Sequence, residues 1–338
     1  MNCCAKCFGD RYLKRDIIPN RSQEIGDCSY CAGQNIAVLP PAQLTEYFEL
    51  LIGAYQPDTN GKLLVSWFRE DWAMFQELDN AHAKELLAEI LDDGEIVRQT
   101  FSPVIDVNAD RMSEWNELRD ELMYHNRFFP QPAPDLKRLD FLLSSLKLDP
   151  DEVPMTWYRA RIQSGDVPFD ISNMGAPPKR TASFGRANPA GIPYLYLGST
   201  QLTAVSEIRP HTGEIICVAD FVTPTDLKLV DLRNPREMVS PFIFPDADEI
   251  GKMRNDLPFL EQLGKELTRP VIPQSAAIDY TPSQYLCEFI KKCGYDGVIY
   301  RSSVSDGINL ALFDPSRAQV GTITQVRVTS VSVATDQI

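Results

Sequence analysis

GRANPAGIPYLYLGSTQLTAVSEIR, residues 185–209, decides how the second half of this chain is read. Arg186 precedes an Asn188-Pro189-Ala190-Gly191 turn, where backbone N–H groups are free and the chain can approach a ligand closely. The apolar run IPYLYLGS alternates loosely, in the manner of a strand. A short helical segment follows and ends in Val205, Ser206, Glu207 and Ile208. A cation and a carboxylate therefore stand at opposite ends of one strand–helix unit. The Glu207 carboxylate is expected to point into the groove beside the strand.

Outward from this stretch the second half keeps a strand-like period. MTWYRARI (155–162), EIICVADFV (214–222), DLKLVDL (226–232), GVIYRSS (297–303), NLALFDP (309–315) and TITQVRVTSVSV (322–333) are strand candidates. TPSQYLCEFIKKCGYDG reads as a helix with Thr281 as N-cap, Pro282 at its first position, Gln284 three residues after the cap and Gly294 as terminator. The first half has a different period. Residues 42–148 read as helical, with Leu44, Phe48, Leu51 and Ile52 on one face, then Trp72, Phe75, Leu78, Leu86, Leu87 and Ile90. Trp115, Leu118 and Leu122 continue the stripe, with Ser113 as a plausible N-cap. Before them, Val38-Leu39-Pro40-Pro41 reads as a punctuated linker.

Five of the eight cysteines lie in the first 31 residues. Cys4 and Cys7 form one C-x-x-C pair, and Cys28 and Cys31 form another, the usual way to offer four thiolates to a tetrahedral Zn²⁺. Four thiolates leave no open position, so such a zinc is structural. Disulfides would fit a secreted chain, but MNCCAKCFGDRYLKRD lacks the apolar core of a signal peptide. The expected localisation is cytoplasmic, with Cys3 a spectator that could replace Cys4. Cys217, Cys287 and Cys293 read as core.

The 338 residues carry 43% apolar and 24% charged side chains, an ordinary globular composition with room for more than one domain. The expected organisation is α+β, with a zinc module over 1–40, a helical domain over 41–150 and a mixed, mainly β domain over 151–338. No apolar run is long enough to span a membrane. A formal net charge of -14 disfavours nucleic acid as a partner, since phosphate binding needs a basic face. An anionic ligand must then be held by a few local arginines against the overall field.

Arg159 lies within the strand WYRAR, where a buried arginine is costly unless it meets an anion. Two guanidiniums, Arg159 and Arg186, suit a pyrophosphate, which they can grip bidentately. One carboxylate suits a sugar whose reaction develops positive charge, as in glycosidic cleavage. NAD⁺ has both parts, and its nicotinamide leaves without protonation, so no second acid is required. Alternatively, Arg159 and Glu207 pair with each other or lie on a solvated edge.

WYRAR (157–161), GRANPAGIPYLYLGSTQLTAVSEIR (185–209), PSQYLCEFIKKCGYDGVIYRSS (282–303) and INLALFDP (308–315) together resemble the RES domain family, in consistent order over about 155–315. The resemblance implies a fold like the ADP-ribosyltransferases and an NAD⁺-degrading activity, with water or phosphate as acceptor. Many members are toxins held inactive by an Xre-type antitoxin, so a toxin or defence effector with an antitoxin or regulatory partner is implied. By motif, Arg159 and Arg186 take the family's phosphate-binding places, and Tyr196 packs against nicotinamide or its ribose. Glu207 orients the ribose 2′-hydroxyl and stabilises the oxocarbenium ion. Ser302, with Ser303 as fallback, positions nicotinamide or its ribose, and Asn309 takes the family's asparagine position. Ala187 stands where the family carries an aromatic residue. Transfer of ADP-ribose to a macromolecule is the alternative outcome, and a homo-oligomer is the expected assembly.

The first 150 residues are similar to the HEPN-like domain fused to some RES proteins, through CAKCF, CSYC and NRFF. HEPN RNases use R-x4-6-H, a spacing that Arg119 and His125 meet; an RNase centred on them is a further alternative, as is a non-catalytic binding module. His82 is expected to be solvated and His211 to lie in a loop.

Overall fold

The computed structural model describes residues 1–104, 110–131 and 133–332. The chain divides into two compact units, Met1–Ser113 with Asn234–Glu261, and Glu114–Arg233 with Gln262–Ile338.

The first unit opens with a three-stranded antiparallel sheet in the order β1-β3-β2, built from β1 (Cys3–Cys4), β2 (Glu24–Gly26) and β3 (Ile36–Leu39). The segment expected as a linker is thus the sheet's central strand: Leu39 lies opposite Cys3, and Val38 lies opposite both Cys4 and Glu24. Its apolar residues Val38 and Leu39 are buried. Pro40 and Pro41 end the strand because they supply no N–H, and a 3-10 turn follows over Pro41–Leu44. Helices Thr45–Ile52, Leu64–Trp72 and Asn80–Leu91 pack the predicted aromatic stripe into a core. Phe48 meets Phe8 at 5.7 Å and Phe75 at 6.3 Å between ring centroids, in the tilted and stacked arrangements that aromatic quadrupoles favour.

The segment 42–148 is not all helical. β4 (Tyr55–Leu63) and β5 (Thr100–Pro103) form an antiparallel pair with an irregularity between Pro57 and Lys62. Pro57, Asn60 and Gly61 interrupt the helical period there, which is why the chain leaves the helix. Ser113 is not an N-cap either, since the helix Asp110–Asp120 begins three residues before it.

The second unit is built on a seven-stranded mixed sheet in the order β12-β8-β6-β7-β11-β10-β9. Its strands are β6 (Thr156–Ile162), β7 (Leu195–Gly198), β8 (Ile215–Val222), β9 (Leu229–Asp231), β10 (Gly297–Arg301), β11 (Ile308–Leu312) and β12 (Gln319–Arg327). All neighbours are antiparallel except β9 and β10, which run parallel. Every strand predicted for this half is present, although β9, β10 and β11 are continuously buried runs rather than alternating ones. β12 begins and ends earlier than expected, and Val333 of that prediction lies outside the described residues.

β6 and β7 pair at one position only, Tyr158 opposite Gly198. This seam positions the site. The helix Gln201–Glu207 lies over it, capped by Thr200, whose hydroxyl accepts the Thr203 N–H at 3.0 Å. Ala204 of this helix packs with Ala160, Ile216 and Val218. A Cβ at residue 198 would stand 2.8 Å from the Ala204 nitrogen, so glycine there is what lets the helix rest directly on the sheet. The helix Thr281–Lys292 starts one residue earlier than predicted: Thr281 is its first helical residue, and Tyr280 takes the cap position without a side-chain bond. Gly294, at φ +86°, terminates it as expected. The helix Ala247–Thr268 was not among the predicted elements; Gly251, Pro258 and Gly264 interrupt its apolar pattern.

Candidate functional site

A cavity of about 510 Å³ opens at the β6–β7 seam, within the size range of small-molecule sites. Tyr158, Arg159 and Ala160 all line it. Consecutive strand residues point to opposite faces, so three in a row reach one cavity only where pairing on one side is lost.

Glu207, at the end of its helix, projects to the cavity wall. Its Oε1 accepts a hydrogen bond from the Ser302 hydroxyl at 2.7 Å and another from the Asn309 side-chain amide at 2.6 Å. Its Oε2 has no hydrogen-bond partner among the described residues, and is free for a ligand. Asn309 is buried on β11, directly opposite Gly198 on one side and Tyr300 on the other. Ser302 follows β10 and also accepts the Val304 N–H at 3.2 Å, which fixes its hydroxyl toward Glu207. Ser303 lines the cavity itself. Glu207, Ser302 and Asn309 come from three elements that are distant in sequence and meet at one oxygen.

Arg159 does not pair with Glu207. Its Nη1 donates to the backbone carbonyl of Met174 at 3.1 Å and to that of Gly175. It has no carboxylate partner among the described residues. Burial, then repulsion from Arg161, lowers its pKa to about 10, which leaves it a cation at neutral pH. A half-buried guanidinium held only by carbonyls has donors left over that an anion could take. Arg186 donates from Nη1 to the Arg269 carbonyl at 2.7 Å and stacks over the Tyr280 ring at 5.0 Å. Both arginines line the same cavity as Glu207.

The turn of residues 185–191 is held from within. Tyr196 donates its hydroxyl proton to Asn188 Oδ1 at 2.7 Å and accepts the Ala187 N–H at 2.9 Å. The Asn188 amide donates to the carbonyls of Ser183, Pro189 and Ile192. A Cβ on Gly185 would lie 2.6 Å from the Tyr196 hydroxyl oxygen, so this close approach requires glycine. The Tyr196 hydroxyl is therefore committed to the loop, while its ring lines the cavity. Ala187 is fully buried, and the aromatic walls are provided instead by Phe184, Tyr158, Tyr280 and Tyr300.

None of those four aromatic residues was singled out from the sequence. Tyr300 was recoverable, because it stands two residues before Ser302 and alternation puts both on one face. Arg209, also lining the cavity, has φ +47°, which the sequence does not signal.

The remaining candidates lie elsewhere. Arg119 Nε faces Glu266 Oε1 at 3.3 Å, and Glu266 is buried. His125 is exposed, with Nε2 at 3.3 Å from Asp120 Oδ2. These two residues are thus engaged by different carboxylates. His82 is exposed and bonded to its capping residue Asp79, and His211 is exposed in a loop.

Cys4, Cys7, Cys28 and Cys31 converge in the first unit, with all four sulfur atoms within 4.8 Å of one another. The pairs Cys4–Cys31 and Cys7–Cys28 stand at 3.4 and 3.3 Å, far beyond a disulfide bond and near the edges of a thiolate tetrahedron. The hydrogen bond from Cys7 is the largest influence lowering the Cys4 thiol to about 5. The donor set fits a structural Zn²⁺. Cys3 is turned away, toward the Leu39 carbonyl at 3.5 Å, and burial pushes its thiol up to about 12.

A mixed β-sheet with a glutamate and three arginines around its open seam defines the class. The family model of the RES domain matches residues 156–332, from the first residue of β6 past the last of β12. The chain belongs to the RES family. Among solved structures, the crystal structure of the M. tuberculosis MbcT–MbcA toxin–antitoxin complex matches at 15% identity and a TM-score of 0.30, covering 56% of this chain and 92% of that chain. No curated protein matches significantly.

Proposed function

We propose that this protein cleaves the nicotinamide–ribose bond of NAD⁺, with water as the favoured acceptor and phosphate as the close variant. The observation that carries this reading is Glu207: one carboxylate oxygen is fixed by Ser302 and Asn309, and the other is open to a cavity shared with Arg159, Arg186 and Arg209. Arg159 and Arg186 hold the pyrophosphate and bring the dinucleotide into the seam. Glu207 Oε2 accepts a hydrogen bond from the 2′-hydroxyl of the nicotinamide ribose. As the glycosidic bond breaks, both bonding electrons leave with nicotinamide and neutralise its ring nitrogen. Positive charge moves onto the ribose, where the carboxylate opposes it. The acceptor then attacks C1′, giving ADP-ribose with water or its 1″-phosphate with phosphate.

Tyr196 acts through its ring and through the loop it pins, since its hydroxyl is already bonded. The four-cysteine cluster holds a structural zinc. An activity that depletes NAD⁺ fits a toxin or defence effector and calls for a silencing partner such as an antitoxin. This last step rests on the family alone.

Nicotinamide release is measured by mass spectrometry, in phosphate and in phosphate-free buffer, for wild type and Glu207→Ala. Turnover that falls at least about a hundredfold in the variant supports the reading, as loss of a transition-state charge partner should. The second product names the acceptor. A wild type that releases no nicotinamide in either buffer sinks it. Activity on RNA that survives Glu207→Ala and is lost in His125→Ala would favour the RNase instead.

A further inference from the structure

Tyr300 lies on β10, directly opposite Asn309 of β11. Opposed residues of an antiparallel pair share a face, so its ring lies on the side from which Asn309 reaches Glu207. The residue is only 5% exposed and lines the cavity, yet its hydroxyl makes no hydrogen bond among the described residues. Two other tyrosines of this unit are satisfied: Tyr196 bonds Asn188 and Ala187, and Tyr194 donates to Glu288 at 2.5 Å. The hydroxyl is not sealed from solvent either, so it opens into the cavity, and phenylalanine would fill the same space without losing any internal bond. The hydroxyl therefore has no folding reason to be where it is. It faces the cavity that also holds the free oxygen of Glu207.

We propose that Tyr300 is a substrate-recognition residue, whose hydroxyl donates a hydrogen bond to an uncharged acceptor oxygen of the bound dinucleotide next to the scissile bond. That oxygen is the carboxamide carbonyl of nicotinamide or a hydroxyl of its ribose. The assignment rests on the reading of the Glu207 cavity as an NAD⁺ site. It divides the work by charge: the arginines take the phosphates, Glu207 the developing cation, and Tyr300 a neutral oxygen. Burial, then Tyr196 and Glu207, hold the phenol well above its ordinary range, so it stays a neutral donor wherever the enzyme is folded.

The test compares wild type, Tyr300→Phe and Tyr300→Met, the last filling the ring's volume should the first not fold. Thermal midpoints are recorded alongside kcat and KM for NAD⁺ and for its thionicotinamide analogue, in which sulfur, a poor acceptor, replaces the carbonyl oxygen. Tyr300→Phe is expected to unfold at or above the wild-type temperature while kcat/KM on NAD⁺ falls roughly ten- to a hundredfold. If the carbonyl is the acceptor, that fall shrinks on the analogue; if the ribose is, it persists. Wild-type kcat/KM in Tyr300→Phe overturns the assignment and leaves the Glu207 reading intact. So does a variant that melts well below wild type, because the hydroxyl is then a structural one. A wild type without nicotinamide release fails the Glu207 reading first, and the Tyr300 assignment with it.

Discussion

Glu207 is gripped by one oxygen only, and the grip is shared. Ser302 and Asn309 both donate to Oε1, at 2.7 and 2.6 Å. A carboxylate held this way is partly released when either donor is lost and wholly released when both are. Hydrogen bonds to a charged group contribute about 1.5–3 kcal/mol, so Ser302→Ala and Asn309→Ala should each lower kcat about ten- to a hundredfold. Because the two act on one atom, the double variant should fall short of or exceed the product of the single effects, not equal it. Steady-state kinetics on the three variants tests this. Independent, multiplicative losses would mean the residues serve separate functions. Both donors were legible in the sequence as a family pattern, but their meeting point was not, since only β10, β11 and the Glu207 helix together define it.

At the level of elements, the proposed cleavage would depend on how low the Gln201–Glu207 helix sits. Gly198→Ala would bring a methyl group to 2.8 Å from the Ala204 nitrogen, backbone that cannot move without lifting the helix. The expected result is a folded protein, recognised by its circular dichroism, with kcat reduced more than tenfold by displacement of Glu207. A fully active variant would show that the helix tolerates the shift. In the first unit, Asp10 is buried between the Leu13 N–H at 2.8 Å and the Ser240 hydroxyl at 3.0 Å. Burial raises its pKa from 3.8 to about 6. The folded state then binds the proton more tightly than the unfolded state, so stability is greatest below about pH 4 for this group and is lost as pH rises to about 6. Asp10→Asn removes that loss and should stabilise the protein by about 1–3 kcal/mol at pH 8 relative to wild type, with a smaller gain at pH 5. Thermal unfolding at the two pH values decides it. The strands of the mixed sheet were readable as short apolar runs bounded by turn residues. The β4–β5 hairpin and the helix Ala247–Thr268 were not, since prolines and glycines break the periods that would announce them. Val38 and Leu39 misled for the opposite reason, two prolines hiding a short strand whose last two residues are buried.

Over the whole chain, the carboxylates outnumber the cations by 47 to 33, yet the site proposed for an anionic dinucleotide gathers arginines. Affinity must then come from local contacts, and a local site is only as good as the rigidity of what surrounds it. The sequence conveys the residue types for both the glutamate site and the cysteine cluster; the spacing of C-x-x-C pairs is local and carries its own geometry, whereas Tyr300, Tyr280 and Phe184 reach the cavity only through long-range pairing. For the cluster, β1 and the turn around Cys28 bring four sulfurs within 4.8 Å of one another. Deprotonated thiols so close repel one another unless a cation binds them, so metal and fold should be linked. Metal analysis of the purified protein should give about one zinc per chain, as a single tetrathiolate site requires. Cys28→Ser should lose the metal and lower the thermal midpoint by roughly 10 °C or more, while Cys3→Ser, whose thiol lies outside the cluster, should keep both. A metal-free wild type with an unchanged melting temperature would reject the zinc and leave the cysteines as ordinary buried thiols.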